Sequence, residues 1–205
     1  FNRPAELSPA DAQTLRDTLI SVNKELVFSP KIIPGDPLVE AYKIQSGDII
    51  ARLAPRWKVP QQFIVQINGI NPSKLHVGQT VKFVKGPFHA RVIKSDFRMD
   101  VFLKDDAGQP VYITSYPVGL GENDSTPLGR WIVDPGRKVQ NPAWANPRTG
   151  ERFDADDPKN PIGEYWLALK GTDPDTENVG GYGIHGTIDP ESVGNMMSMG
   201  CVRLR

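Results

Sequence analysis

From Ser8 to Val27 the apolar residues recur every three or four positions, at Ala12, Leu15, Leu19, Val22 and Leu26. That spacing places them on one face of an amphipathic helix. Ser8 is a good N-cap and Pro9 suits the first helical position, so a helix over 8–27 is predicted. The charged residues Asp11, Arg16, Asp17 and Lys24 fall mostly off the apolar face. Ser29-Pro30 and Pro34-Gly35-Asp36-Pro37 then break the rhythm and read as a connector. The helix carries no reactive side chain, and its expected role is packing or linking, with a binding role as the alternative.

The rhythm changes twice more between residues 40 and 86. Ala41-Tyr42-Lys43-Ile44 alternates as a short strand does, and Gln45-Ser46-Gly47-Asp48 makes a turn. Ile49, Ile50, Leu53 and Ala54 give a short helical pattern that ends near Pro55. A second helix opens at Pro60 with Phe63, Ile64 and Ile67 on its apolar side, and Asn68-Gly69-Ile70-Asn71-Pro72 closes it. Val77-Gly78-Gln79 turns into the strand Val81-Lys82-Phe83-Val84. The predicted order is strand–helix–helix–strand.

This unit resembles a LysM module. The resemblance runs through Tyr42-Lys43-Ile44-Gln45-Ser46-Gly47-Asp48, Asn68-Gly69-Ile70 and Leu75-His76-Val77-Gly78-Gln79. It implies binding of N-acetylglucosamine-containing glycans, chiefly peptidoglycan or chitin. The implied groove lies between Gly47, Asp48 and Ile49 on one side and Asn71, Pro72, Ser73, Lys74 and Leu75 on the other. Exposed turn backbone suits recognition of acetamido groups. The alternative is a module that only packs on its neighbour. His76 has no partner at ligand spacing and reads as a surface residue.

Beyond residue 87 the pattern is mostly that of short strands. Arg91–Lys94, Met99–Leu103, Val111–Val118 and Arg130–Val133 are bounded by turn residues, with a hairpin turn at Asp105-Asp106-Ala107-Gly108. Residues 134–163 are rich in Pro, Gly, Asn and Asp and lack periodicity, which predicts a long functional loop or lid. Tyr165–Leu169 and Gly183–His185 are further strands. The expected fold class is α+β: a 1–38 helix and linker, a small βααβ module at 39–86, and a mostly β, sandwich-like domain at 87–205.

Composition narrows the function classes. The chain has 205 residues, 39% of them apolar, with 19 Pro and 19 Gly, which fits a packed, turn-rich fold. No run of about 18 apolar residues exists, so no membrane span is expected. Residues 1–86 carry 11 Lys and Arg against 7 Asp and Glu, and residues 87–205 carry 13 against 17. Neither half is basic enough to point to nucleic acid. The chain starts at Phe1 rather than Met, so a processed or excised form is expected, and the absence of a signal peptide or anchor proves nothing. One cysteine and three histidines exclude an internal disulfide and argue against a structural zinc site.

A lone cysteine is either an inert core residue or a reactive thiol. Cys201 follows His185 by 16 positions, within Gly181-Tyr182-Gly183-Ile184-His185-Gly186-Thr187 and Ser198-Met199-Gly200-Cys201-Val202-Arg203. A thiol needs a nearby base to become a nucleophile at neutral pH, and imidazole is the usual one. Gly200 permits close approach beside the sulfur. The pair alone does not decide between structure and chemistry.

These two segments resemble the catalytic motif of the L,D-transpeptidase (YkuD) family. Ser125-Thr126-Pro127-Leu128-Gly129, Asn141-Pro142-Ala143-Trp144 and Asn160-Pro161-Ile162-Gly163-Glu164-Tyr165-Trp166-Leu167 agree with it in order. The resemblance implies a peptidoglycan L,D-transpeptidase with Cys201 as nucleophile and His185 as base. Stem peptides of peptidoglycan are the implied substrates, a 3→3 crosslink the product, and a thioester the intermediate. Gly200, Ser198 and Gly186 are the supporting positions. Amides around Gly200 and Cys201 are candidates to hold an oxyanion, and the Gly186 carbonyl is a candidate to fix the imidazole tautomer. Arg203 is expected to bind substrate or order the loop, with a structural ion pair as the alternative. Tyr182 and Trp144 are expected at the cleft, with core packing equally open. Asp189 is expected to cap a turn, and Met196, Met197 and Met199 to pack loops. The scheme needs no metal and no organic cofactor, and it belongs outside the cytoplasmic membrane. Hydrolysis to give an L,D-carboxypeptidase, and a non-catalytic wall-binding protein, remain alternatives. A papain-like peptidase does not fit, because there the cysteine precedes the histidine. Two departures stand out: Met199 occupies a position that is histidine in many members, and the chain stops at Arg205, where family domains continue, so an incomplete C-terminal end is expected.

Overall fold

The structure, a computed structural model, describes residues 7–205. The chain divides into two compact units, Phe1–Arg91 with Asp100–Ser115, and Val92–Met99 with Tyr116–Arg205. It is an α+β protein with few helices and many short strands.

In the first unit, helix α1 spans Pro9–Leu26. The Ser8 hydroxyl accepts from Asp11 N at 3.1 Å, as an N-cap should. The buried face of α1 only partly follows the apolar spacing: Ala12, Leu19 and Leu26 are half-buried, and Leu26 packs on a core. Leu15 and Val22 are 48% and 44% exposed, while Asn23 and Val27 are buried. The reason is polar: the Asn23 amide donates to the carbonyls of Tyr112 and Ile113, both at 3.0 Å, so a buried polar side chain is satisfied by a strand and sets the helix rotation.

Strand β1 (Val39–Lys43), helix α2 (Ile50–Leu53), a 3-10 turn at Ala54–Trp57, helix α3 (Gln61–Asn68) and strand β2 (Thr80–Val84) form the βααβ module. β1 and β2 pair antiparallel, with Tyr42 opposite Val81. Gly69 closes α3 in the left-handed conformation. Trp57 stacks on Phe83 at 3.9 Å between centroids, and Tyr42 meets both rings edge-on. These rings sit in a core with Ile44, Ile50, Leu53, Ile64 and Val81.

A second core joins Val27, Leu38, Val39, Ile67 and Val84 to Leu103 and Ile113. The last two come from strands β4 (Arg98–Lys104) and β5 (Pro110–Pro117), which with β3 (His89–Ile93) form a three-stranded sheet in the order β3-β4-β5. The Asp105 carboxylate shapes the β4–β5 turn by accepting from Ala107 N and Gln109 N. Lys82 is fully buried, and its ammonium donates to the carbonyls of Leu26, the last residue of α1, and of Ser29 in the turn beyond it.

The second unit is built on a four-stranded sheet. Its strands are β7 (Trp131–Gln140), β10 (Tyr165–Gly171), β11 (Gly183–His185) and β13 (Val202–Arg203), ordered β13-β11-β10-β7. β6 (Leu120–Gly121) pairs in parallel with β12 (Met196–Ser198). β7 runs on to Gln140, so residues 134–140 are strand where the sequence pattern predicts loop. Their Pro and Gly hide the periodicity, and a register shift between Leu167 and Leu169 of β10 absorbs the irregularity. The rest of the expected loop is a structured arm. β8 (Trp144–Ala145) pairs with β9 (Arg152–Phe153), and Asn146 organises the tight turn between them.

Candidate active site

Sheet register brings the reactive residues together. His185 on β11 lies opposite Trp166 on β10 and opposite Arg203 on β13. Paired residues share a face, and residues two apart on one strand share it too, which adds Cys201 just ahead of β13. Cys201, Arg203, His185 and Trp166 thus occupy one side of the sheet, and all four line a single cleft. That cleft spans about 570 Å³ of space, open solvent included. Its other walls are Trp144 and Pro147 from the arm, Pro161 and Ile162 beyond it, and Gly181, Ser198 and Met199 beside the sulfur. Among the described residues no acidic side chain lines it.

The imidazole of His185 is 6% exposed and stacks on the Trp166 indole at 5.6 Å. Its Nδ1 lies 2.6 Å from the Gly186 carbonyl oxygen. Only a protonated Nδ1 can donate there, which leaves Nε2 as the basic nitrogen. Burial is the largest influence on this ring and pushes its pKa down to about 4, helped by the Arg203 charge and opposed by the Gly186 and Ile162 carbonyls. The ring is therefore neutral at pH 7.

The half-buried thiol of Cys201 points at the Gly181 carbonyl, 3.8 Å away. Burial pushes its pKa up, while the Gly183 N–H and the Arg203 charge pull it back down. Gly183 must lack a side chain, because a Cβ there would lie 2.7 Å from the Trp166 ring. Arg203 pairs through its backbone with Gly119, and its buried Nε has no hydrogen-bond partner among the described residues.

Ser198 holds the thiol loop. Its hydroxyl donates to Cys201 O at 2.7 Å and accepts from Gly200 N at 3.1 Å. The Gly200 amide is thus already engaged, which narrows the expected oxyanion donors to Cys201 N–H. Gly200 sits at φ +124°, where an added Cβ would come within 2.7 Å of the Tyr182 ring. That contact locates Tyr182: it packs behind the loop on Gly200 and Trp131 rather than lining the cleft, since strand alternation turns it away from Gly181 and Gly183. Trp144 does line the cleft, and it stacks on Phe153 across the arm. Met199, read from the sequence as loop packing, also faces the cleft. Asp189 accepts from Ser192 through its carbonyl, in the turn begun by Pro190. Trp166, Pro161 and Ile162 line the cleft too, although sequence reading placed them only within the Asn160–Leu167 stretch of the resemblance and not at the site.

In the first unit, Gly47 turns at φ +86° and Ile49 is 46% exposed. The Asp48 carboxylate accepts from Tyr42 Oη at 2.9 Å and Gln45 N at 2.7 Å, so it braces its own turn. Asn71 accepts from Ser73 N in the facing loop, Lys74 is exposed, and Leu75 packs against the first core. Among the described residues no group of three or more His, Cys, Asp or Glu is arranged to hold a metal. No helix among them is long and apolar enough to cross a membrane.

Comparison with known proteins gives consistent matches. The family model of the L,D-transpeptidase catalytic domain, YkuD, matches residues 87–205, and that of the LysM domain matches residues 42–83. The chain is 24% identical over 172 residues to the "Putative L,D-transpeptidase YkuD" of Bacillus licheniformis, spanning 80% of this chain and 85% of that protein. The Bacillus subtilis protein of the same name is 24% identical over 171 residues, with the same coverage. The "Putative L,D-transpeptidase YqjB" of Bacillus subtilis is 37% identical over 92 residues, 43% of this chain and 46% of that one.

Proposed function

Because the chain belongs to the L,D-transpeptidase (YkuD) family and carries a LysM domain, we propose that it forms 3→3 crosslinks between peptidoglycan stem peptides through a Cys201 thioester. The observation that carries this reading is the shared sheet face of Cys201, His185 and Arg203 at one cleft.

The pKa directions favour a neutral thiol and a neutral imidazole at rest. Proton transfer then accompanies attack. His185 Nε2 takes the thiol proton as sulfur bonds to the carbonyl carbon between stem residues three and four. The oxyanion is received by Cys201 N–H. The C–N bond breaks, the imidazolium gives its proton to the departing amine, and the terminal D-residue leaves. The side-chain amine of a second stem attacks the thioester, its proton passes to His185, and the thiol is restored. Water in place of that amine gives the carboxypeptidase outcome.

Arg203 supplies the one permanent charge among the described residues that line the cleft. With no acidic side chain among the described residues that line the cleft, its guanidinium is the receptor for a substrate carboxylate. The LysM domain, bounded at 39–86, holds the enzyme on N-acetylglucosamine-containing glycan through the Gly47–Ile49 and Asn71–Leu75 loops, and the 87–205 domain does the chemistry. Both substrates place the protein outside the cytoplasmic membrane, at the cell wall.

Intact-mass measurement after exposure to a carbapenem tests the thioester chemistry. A single acyl adduct on the wild type and none on Cys201→Ala is expected; a folded wild type that takes up no adduct rejects the proposal. Tetrapeptide incubated with a second stem then separates transfer from hydrolysis by product mass.

A further inference from the structure

The thiol loop rests on a turn that the mechanism has not used. Backbone at Gly200 lies against backbone at Gly121 and Ser125: a Cβ on Gly121 would come within 2.7 Å of Gly200 Cα, and one on Gly200 within 3.2 Å of Ser125 O. The Gly121 amide in turn donates to Thr126 Oγ1 at 2.8 Å. The shape of residues 122–126 therefore fixes where Gly200 and Cys201 sit. That turn is conformationally costly, because Asn123 and Asp124 are consecutive non-glycine residues at φ +52° and +60°.

One side chain clamps it. Lys94, from a different part of the same unit, donates from Nζ to Thr126 O at 2.5 Å and Asp124 O at 3.3 Å, and it pairs with Asp124 Oδ1 at 2.5 Å. Its side chain is only 15% exposed, and a surface lysine with no structural task is not held by three oxygens. We propose that Lys94 is a positioning residue of the active site: its ammonium clamps the strained 122–126 turn, and that turn sets the Cys201 amide at the oxyanion position. The inference rests on the Cys201 acyl-transfer reading.

Lys94→Met and Lys94→Arg are compared with wild type for acylation by a carbapenem, resolved into the rate at saturation and the half-saturating concentration. Alkylation of Cys201 by iodoacetamide is followed in parallel. Lys94→Met is expected to lower the saturating rate by about 10- to 100-fold, since small misplacements of reacting groups carry losses of that order. Its half-saturating concentration stays within about 3-fold. Alkylation, which needs no oxyanion donor, stays near wild type, and Lys94→Arg recovers much of the rate. A wild-type acylation rate in folded Lys94→Met overturns the inference. So does a loss accompanied by faster alkylation, which marks a loosened loop that merely exposes the thiol. Should Lys94→Met not fold, Thr126→Val, which severs the turn from the Gly121 amide, must show the same separation of the two rates, and normal acylation there is equally fatal. A wild type that alkylates but never acylates fails the parent reading instead and takes this one with it.

Discussion

At the residue scale, two titrating groups carry testable consequences. His185 has a folded pKa of about 4, against about 6.5 for an unfolded histidine. As pH falls, the unfolded chain takes up its proton first, so stability is full above about pH 6.5 and declines between there and about pH 4. The shift corresponds to about 3 kcal/mol. Denaturant melts across that window should show the decline in wild type and a shallower one in His185→Asn; parallel curves would contradict a buried neutral ring. Arg203 lowers the pKa of the Cys201 thiol. Arg203→Met should therefore move the alkylation midpoint of Cys201 to higher pH, and it should weaken substrate turnover by about 10-fold or more through the lost carboxylate contact. An unmoved midpoint would mean that the guanidinium does not act on the sulfur. The residues of this site were legible because two short motifs hold them. Their supports were less so. Trp166 becomes a neighbour of His185 only through strand pairing, and the engagement of the Gly200 amide by Ser198 depends on a loop conformation that spacing does not encode.

At the scale of elements, glycine and amide positions decide what the strands and the helix can do. Gly200 sits at φ +124°, a region closed to side chains, and Tyr182 occupies the space a Cβ would need. Gly200→Ala should lose about 1–3 kcal/mol from backbone strain alone and lose acylation far beyond that, because the loop must shift. A variant that melts lower yet acylates normally would dissociate the loop from catalysis. Helix α1 shows where sequence periodicity misleads. Its apolar stripe is partly in solvent, and the packed face is chosen by Asn23, whose amide satisfies two carbonyls of β5. Asn23→Ala should cost about 1–3 kcal/mol, as unpaired buried carbonyls do, with no change in acylation. The strand content of residues 134–140 was hidden for a related reason: an exposed edge strand with Pro and Gly has no alternating pattern to read, and only its pairing with β10 reveals it.

At the scale of the whole molecule, the βααβ order and the strand-rich second half follow from local patterns. The distribution of the cores does not. Leu103 and Ile113 belong to the stretch matched as catalytic domain, yet they are fully buried against Val27, Leu38, Val39, Ile67 and Val84. Local sequence cannot show this, since it requires knowing which faces of β4 and β5 are covered and by what. Cutting the chain at residue 87 would strip the partners from both side chains while leaving the Cys201 cleft untouched in sequence. Each exposed aliphatic costs about 1.5–3 kcal/mol, which together is a large share of the stability of a small domain. Residues 87–205 alone should therefore melt well below the full chain, and binding of a hydrophobic dye should rise as the β4–β5 face is uncovered. Equal melting temperatures, with no added dye binding, would mean that the hairpin needs no cover. The expected result makes the LysM half a structural requirement of the β4–β5 hairpin, which lies within the stretch matched as catalytic domain.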